Sequence, residues 1–495
     1  MTVMLTSALT SPSSPVWITL LLVLADFGVK VAALGFIPQD RRPSSAMAWL
    51  LLVYLIPFLG LLLFFVLGST TVDRNRRRIH HDVNEFVHEQ FSSDVAPQTA
   101  GVDPAWLRTA ITMSQKLGTL PCTWGNHAEL YSDYEESIAA MTAEVDRATR
   151  FVNVEYFIMA WDDVTGPFFE ACARAVKRGV TVRVLFDHLA ARGIPGYKEM
   201  KSKFDEAGFL WHPMLPILPL KGRWRRPDLR NHRKIFVVDG LVAFTGSQNL
   251  VEPGYNKPKN HKAGREWREL TVRLTGPTAT KLNVVFATDW FVETHEILDQ
   301  DEFVLEEVPH SRGIACHVVP SGPGFSHENN LRLFNTMIYG AQRRLSITSP
   351  YFVPDESLLY AVTTAAHRGV ETELFVSEEG DQFMVYHAQR SYYRVLLNAG
   401  VRIYLYPRPY ILHSKHFSVD DDVAVIGSSN MDMRSFGLNF EVSTMCFGGD
   451  FVREIRKVED HYRTISRELT LGEWTNIPMG ARYVDNVMRL TSALQ

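Results

Sequence analysis

Two stretches decide the reading of this chain: His232-Arg-Lys234-Ile-Phe-Val-Val-Asp239 and His413-Ser-Lys415-His-Phe-Ser-Val-Asp420. Each is followed by a second short signature, Gly246-Ser247-Gln-Asn249 in the first case and Gly427-Ser428-Ser-Asn430 in the second. From His232 to Asn249 and from His413 to Asn430 is the same 17 positions. Six residue types recur at identical offsets, which chance does not produce, so the chain contains an internal repeat. Within each copy the motif reads as a strand. Side chains two apart then share a face, so His232 sits with Lys234 and His413 with Lys415, while His416 faces the other way. Asp239-Gly240 and Asp420-Asp421 stand where that strand must turn back into the next apolar run. Each aspartate is therefore expected to cap a turn, to support the histidine site, or both.

The flanking sequence repeats as well. Phe151–Phe157 is a β-branched and aromatic run, Gly166–Lys177 has apolar residues at helical spacing, and Val180–Phe186 is again strand-like. The same order returns as Leu345–Phe352, Leu358–His367 and Val370–Val376. Each copy is a βαβ unit with a short Arg-Gly turn. The expected fold is α/β, with two similar αβα-layered halves, 121–310 and 311–495, forming one body; the second half carries a C-terminal helix.

Ahead of the repeats lie two apolar segments. Val16–Ile37 is interrupted only by Thr19, Asp26 and Lys30, and Ala46–Leu67 has no charge. At about 1.5 Å per residue each is long enough for a hydrocarbon core of about 30 Å. Residues 1–72 are thus expected to form a transmembrane helical hairpin, with spans near 16–37 and 46–67, an interfacial or re-entrant first helix being the alternative, and 73–120 a linker and approach helix. Asp26 and Lys30 stand four apart and neutralise each other. Pro57 and Gly60 are expected to kink the second span. Arg74, Arg76, Arg77 and Arg78 outweigh Arg41 and Arg42, which predicts a multi-pass protein whose body lies on the cytoplasmic side.

Composition narrows the function. Among 495 residues, 46% are hydrophobic and 21% charged, which excludes a mostly disordered chain. The formal net charge of -4 argues against a basic nucleic-acid binder. Four scattered cysteines make neither a disulfide framework nor a zinc module. Lysine is not a usual metal ligand and no acidic cluster accompanies the histidines, so no metal or other cofactor is expected.

Two His-Lys pairs suit a phosphodiester. Lys234, Lys415, Asn249 and Asn430, with Ser247 and Ser428, are expected to hold phosphate oxygens by charge and hydrogen bonds. One imidazole attacks phosphorus; the other protonates the leaving alkoxide and then deprotonates the incoming alcohol. Glu269 and Glu441, each downstream of its motif on an apolar run, are expected to orient the opposite or the neighbouring histidine, or to be satisfied buried carboxylates. Pro213–Leu220 is apolar, with prolines at 213, 216 and 219, and leads into Lys221, Arg223, Trp224, Arg225 and Arg226. That composition suits the headgroup boundary of an anionic bilayer, or a solvated loop.

The duplicated His-x-Lys-x4-Asp segment with its downstream Gly-Ser-x-Asn resembles the phospholipase D superfamily and, more narrowly, the bacterial cardiolipin synthases. The resemblance covers nearly the whole chain. It includes the paired apolar segments with Arg41–Trp49 between them, Tyr351–Leu359, Arg390–Tyr393, Ala399–Val401, Leu412–Lys415 and Met431–Glu441. It implies a bacterial cell-membrane phosphatidyltransferase that converts phosphatidylglycerol into cardiolipin and glycerol through a phosphohistidine, without a metal. It further implies that His232 is the nucleophile and His413 the acid and base, with Asp239 and Asp420 supporting them. A membrane-bound phospholipase D, a phosphatidyl transferase with another donor or acceptor, and an inactive lipid-binding scaffold are the alternatives.

Overall fold

In the computed structural model the described residues are 16–39, 41, 43–68, 102–118, 120–217, 228–303, 313–325 and 328–492. The chain divides into residues 1–72 and residues 73–495, apart from a three-residue segment at 226–228. The tail of the proline-rich stretch and Lys221, Arg223, Trp224, Arg225 and Arg226 lie outside the described residues.

The N-terminal unit begins with an apolar helix, Val16–Phe36, long enough to cross a membrane. Lys30 reaches Asp26 at 2.7 Å, the ion pair expected from their spacing. The second apolar segment departs from expectation. It is two helices, Pro43–Leu55 and Pro57–Leu67, where one kinked span was expected. Pro57 has no N–H to continue the helix, and Ile56 before it takes a non-helical φ of -138° and ψ of 76°. Gly60 then packs so closely that a Cβ there would lie 2.8 Å from the Leu52 carbonyl oxygen. Glycine at 60 lets the two short helices meet, and neither alone covers about 30 Å.

In the main unit, sixteen strands make one sheet among the described residues. From its middle outward, the first half contributes Thr123–Tyr131, Thr271–Thr275, Val242–Gly246, Lys234–Val238, Phe151–Tyr156, Thr181–Asp187 and Leu210–Met214. The second half contributes, in the matching order, Ile314–Ser321, Asn439–Phe447, Val423–Gly427, His416–Val419, Arg344–Thr348, Glu371–Ser377 and Arg402–Tyr406. The halves join where Thr123–Tyr131 runs antiparallel to Ile314–Ser321. An approximate twofold axis therefore passes between these two strands. The predicted βαβ units are present: Phe151–Tyr156 pairs in parallel with Thr181–Asp187, and Arg344–Thr348 with Glu371–Ser377. The run expected as Leu345–Phe352 breaks after Thr348, and that break frees Tyr351 from the sheet.

Alternation along the strands buries both faces. On Lys234–Val238, Phe236 and Val238 pack beneath the helices Tyr134–Arg147 and Gly166–Lys177. Ile235 and Val237 join a core on the opposite face, with Leu282 and Phe286 of the helix Pro277–Thr294 and Ile455 of Phe451–Ile465. That core draws on both halves, so they form one body. Complete burial of a Phe or Ile side chain contributes about 1.5–3 kcal/mol, which holds the motif strand rigidly at mid-body. All four cysteines are free and buried.

Candidate active site

The motif strand starts later than the sequence suggested. It begins at Lys234 in one half and at His416 in the other, leaving each motif histidine in the short segment just before it. That segment crosses to the other half. Arg230–Asn231 pairs with Asn439–Phe440, and the His232 N–H donates to the Phe440 carbonyl at 2.8 Å. Reciprocally, Ile411–Leu412 pairs with Trp267–Arg268, and the His413 N–H donates to the Arg268 carbonyl at 2.8 Å.

The next residue on each receiving strand is the glutamate. Nδ1 of His232 lies 3.0 Å from both carboxylate oxygens of Glu441, and Nδ1 of His413 lies 2.7 Å from Glu269 Oε1. Each glutamate thus holds the histidine of the opposite half. Both carboxylates are buried. The glycines Gly246 and Gly427 make the crossing possible. A Cβ on Gly246 would stand 2.3 Å from the Leu270 carbonyl oxygen, and one on Gly427 would stand 2.4 Å from that of Val442. Only glycine lets the glutamate-bearing strand come so near.

Ser247 and Ser428 occupy places other than the phosphate-facing ones expected. The Ser428 hydroxyl donates to Glu441 and accepts from the Val442 N–H at 3.0 Å. The Ser247 hydroxyl accepts from the Leu270 N–H at 2.9 Å. Both serines are fully buried and brace the glutamate strands. Their close neighbours on those strands take up the hydroxyls, which the repeat spacing alone does not reveal.

Asp239 and Asp420 are at the far ends of their strands. The Asp239 carboxylate accepts from the backbone N–H groups of Thr149, Arg150 and Phe151 at 2.8–2.9 Å and from the Thr149 hydroxyl. Asp420 accepts from the N–H groups of Gln342, Arg343 and Arg344 at 2.7–3.0 Å. Both residues have left-handed backbones, φ 54° and 50°. These carboxylate hydrogen bonds fasten each hairpin turn to the first strand of its βαβ unit, and none of them reaches a motif histidine or lysine. Asp239→Ala is expected to strand three backbone donors and the Thr149 hydroxyl and to cost about 2 kcal/mol or more, seen as a lowered Tm; Asp239→Asn retains part of the network and tolerance of φ > 0. The backbone donors outweigh the effect of burial and hold the Asp239 carboxyl below its usual range. Its stabilisation is present above the unfolded-state value and is lost as pH falls through the folded one.

His232, His413 and Asn249 open on one cavity of about 260 Å³. Its walls include Phe157, Tyr255 and Trp267 from the first half and Tyr351, Asp381 and Gln382 from the second. Phe157 meets the His232 ring edge-on at 4.8 Å, and Tyr351 lies 6.3 Å from that of His413. Asn249 is fixed through its amide, which donates to the Tyr255 hydroxyl at 2.8 Å. The Asn430 side-chain oxygen is buried without a hydrogen-bond partner. Lys234 and Lys415 are buried, their ammonium groups donating to the His232 and His413 carbonyls at 2.6 and 2.7 Å. His416 is buried on the other side of its strand and does not line the cavity. A larger surface hollow of about 450 Å³ around Tyr197 and Lys201 contains none of the motif residues.

The electrostatics of the two halves differ although their geometry matches. Burial, reinforced by Lys234 and Lys415, holds the His232 imidazolium well below its ordinary pKa. Burial also lowers His413, but the Glu269 carboxylate pulls it back upward. Burial raises Glu441 to about 7 against the pull of Lys234, whereas His413, Lys415 and Ser247 together outweigh burial at Glu269 and keep it below its usual range. Burial lowers Lys415 to about 8 and, together with Lys415, lowers Lys234 strongly. An anion between the two lysines favours their charged forms and offsets that depression.

Sequence comparison places this geometry. The family model described as "Cardiolipin synthase, PLD-like domain" matches residues 141–290 and 334–462, more than half of the chain. The chain belongs to the cardiolipin synthase family of phospholipase D-like proteins. A second model, "Phospholipase_D-nuclease N-terminal", matches residues 28–69. Cardiolipin synthase A of Proteus mirabilis (strain HI4320) is 31% identical over 476 residues, 92% of this chain and 94% of that protein. Cardiolipin synthase A of Yersinia pseudotuberculosis serotype IB (strain PB1/+) is 30% identical over 93% of this chain and 95% of that one. Among solved structures, the phosphatidylserine synthase of Haemophilus influenzae Rd KW20 shares the fold at 14% identity, with a TM-score of 0.60, over 77% of this chain and 99% of that one.

Tyr255, Asp381 and Gln382 escaped the sequence reading, and Tyr351 entered it only within the family-like stretch Tyr351–Leu359, with no role assigned. They fall outside the repeated offsets, and only the long-range folding of both halves brings them to the cavity.

Proposed function

We propose that this protein is a cardiolipin synthase, transferring a phosphatidyl group from one phosphatidylglycerol to the glycerol hydroxyl of another and releasing glycerol. The observation that carries the reading is the shared cavity, in which each of two motif histidines has its Nδ1 held by a carboxylate of the opposite half. A bound Nδ1 fixes the tautomer and leaves Nε2 for chemistry. His232, the more strongly depressed imidazole, is neutral at physiological pH and attacks phosphorus. His413, sustained by ionised Glu269, gives its proton to the departing glycerol oxygen and later takes one from the acceptor hydroxyl. Lys234 and Lys415 neutralise the phosphoryl oxygens, and the amide N–H groups of Asn249 and Asn430 donate hydrogen bonds to them.

The N-terminal apolar unit anchors the chain in the bacterial cell membrane. The arginines at 74 and 76–78 support a body on the cytoplasmic face, where anionic lipid is at hand. The test supplies the purified full chain with phosphatidylglycerol vesicles and identifies products by mass spectrometry. Cardiolipin with glycerol is expected; phosphatidic acid alone, or no turnover, refutes the reading. Activity is also expected to survive exhaustive chelation, since lysine and histidine carry the phosphate charge. A loss reversed only by a divalent ion contradicts this; mild stimulation does not, because ions also screen anionic lipid.

A further inference from the structure

The two halves differ most usefully between asparagine and glutamate. From Asn430 to Glu441 is 11 positions, but from Asn249 to Glu269 is 20. The extra residues in the first half form a loop and a short helix, and they bring Lys257 and Lys259 to the wall of the catalytic cavity. The loop is tightly held. The Glu252 carboxylate accepts from the Gly254 N–H at 2.7 Å and meets the His261 ring at 2.8 Å. Asp162 accepts from the Glu252 N–H at 2.8 Å and the Asn256 amide at 3.1 Å. Tyr255 and Asn256 both adopt left-handed backbones, φ 62° and 53°, a cost that this network sustains. Neither Lys257 nor Lys259 makes an ion pair among the described residues, whereas Arg265 on the same wall is paired with Glu379.

The facing wall is of opposite character. The Tyr351 hydroxyl donates to Asp381 at 2.8 Å and accepts from the Gln382 amide at 2.8 Å. Asp381 repels a phosphate there but accepts from hydroxyl groups. The cavity is thus polarised about the two motif histidines. Attack and departure at phosphorus are symmetric and need no such polarity; telling a charged acceptor from water does.

We propose that Lys257 and Lys259 form a second phosphodiester subsite, which holds the acceptor lipid by its own anionic headgroup while its hydroxyl faces the phosphohistidine. This rests on the function proposed above. In the step concerned, the acceptor oxygen bonds to phosphorus as the P–N bond to His232 breaks, and the acceptor proton passes to His413. Water or an uncharged alcohol undergoes the same step without the lysines, so they govern which acceptor captures the intermediate.

The experiment lets phosphatidylglycerol and ethanol compete in mixed micelles with the full-length protein and measures the ratio of cardiolipin to phosphatidylethanol. Because both products arise from one intermediate, the ratio reports acceptor capture and not overall turnover. In the double variant K257Q/K259Q the ratio is expected to fall by about tenfold or more, and in K257R/K259R to remain near that of the wild type. An unchanged ratio in the glutamine variant, or an equal fall in the arginine variant, overturns this subsite alone. A wild-type protein that forms neither product overturns the functional reading and the subsite with it.

Discussion

His232→Ala is expected to abolish the covalent phosphoenzyme and, with it, measurable transfer. His413→Ala is expected to slow turnover by about 10²–10⁴-fold while still allowing an intermediate to accumulate from a donor with a good leaving group. The difference comes from their surroundings. Both rings are buried and both are carboxylate-bound, but Lys234 and Lys415 add to the burial that depresses His232, where Glu441 is itself raised to about 7, whereas at His413 the Glu269 carboxylate opposes that depression. A neutral imidazole is what a nucleophile requires; a ring kept protonatable by an ionised partner is what an acid requires. Acid-quench trapping with labelled donor, followed by peptide mapping, decides the matter. Label at residue 413 reverses the roles, and full activity in either variant removes the two-histidine mechanism.

The second large effect falls on Glu269. Glu269→Gln removes the charge that supports protonated His413, so the acid loses its proton at a lower pH. The alkaline limb of the kcat–pH profile is expected to move downward, with a loss of about tenfold or more at neutral pH. Glu441→Gln acts on a ring that is already neutral, so its profile is expected to keep its alkaline limb while its amplitude falls through misorientation of His232. Identical shifts in the two variants would contradict the assignment of unlike roles.

The repeat made much of the body legible. Matching offsets from His to Asn, together with two βαβ patterns, anticipated twin halves, and the strand order repeats from the central junction outward. Local pattern reached its limit where partners are distant in the chain. Whether Glu269 and Glu441 serve the neighbouring or the opposite histidine depends on the crossing of Arg230–Asn231 and Ile411–Leu412, which no periodicity announces. The serines illustrate the same point, since their spacing implied a ligand and the fold gives them a glutamate strand. At Pro57 the error was one of degree. A missing N–H predicts disturbance, but the close approach at Gly60 turns a kink into a break.

The joining strands Thr123–Tyr131 and Ile314–Ser321 have a consequence for how such a protein can diverge. A single-repeat protein built this way has to function as a homodimer, because each histidine takes its carboxylate from the other copy. Any change to such a dimer appears twice, once on each side of the axis. Tandem fusion removes that constraint. Covalent linkage allows one copy to gain the residues after Asn249 while the other keeps the short connection after Asn430. The linked chain retains the paired chemistry of a dimer and gains a handedness across its cavity that no symmetric dimer possesses.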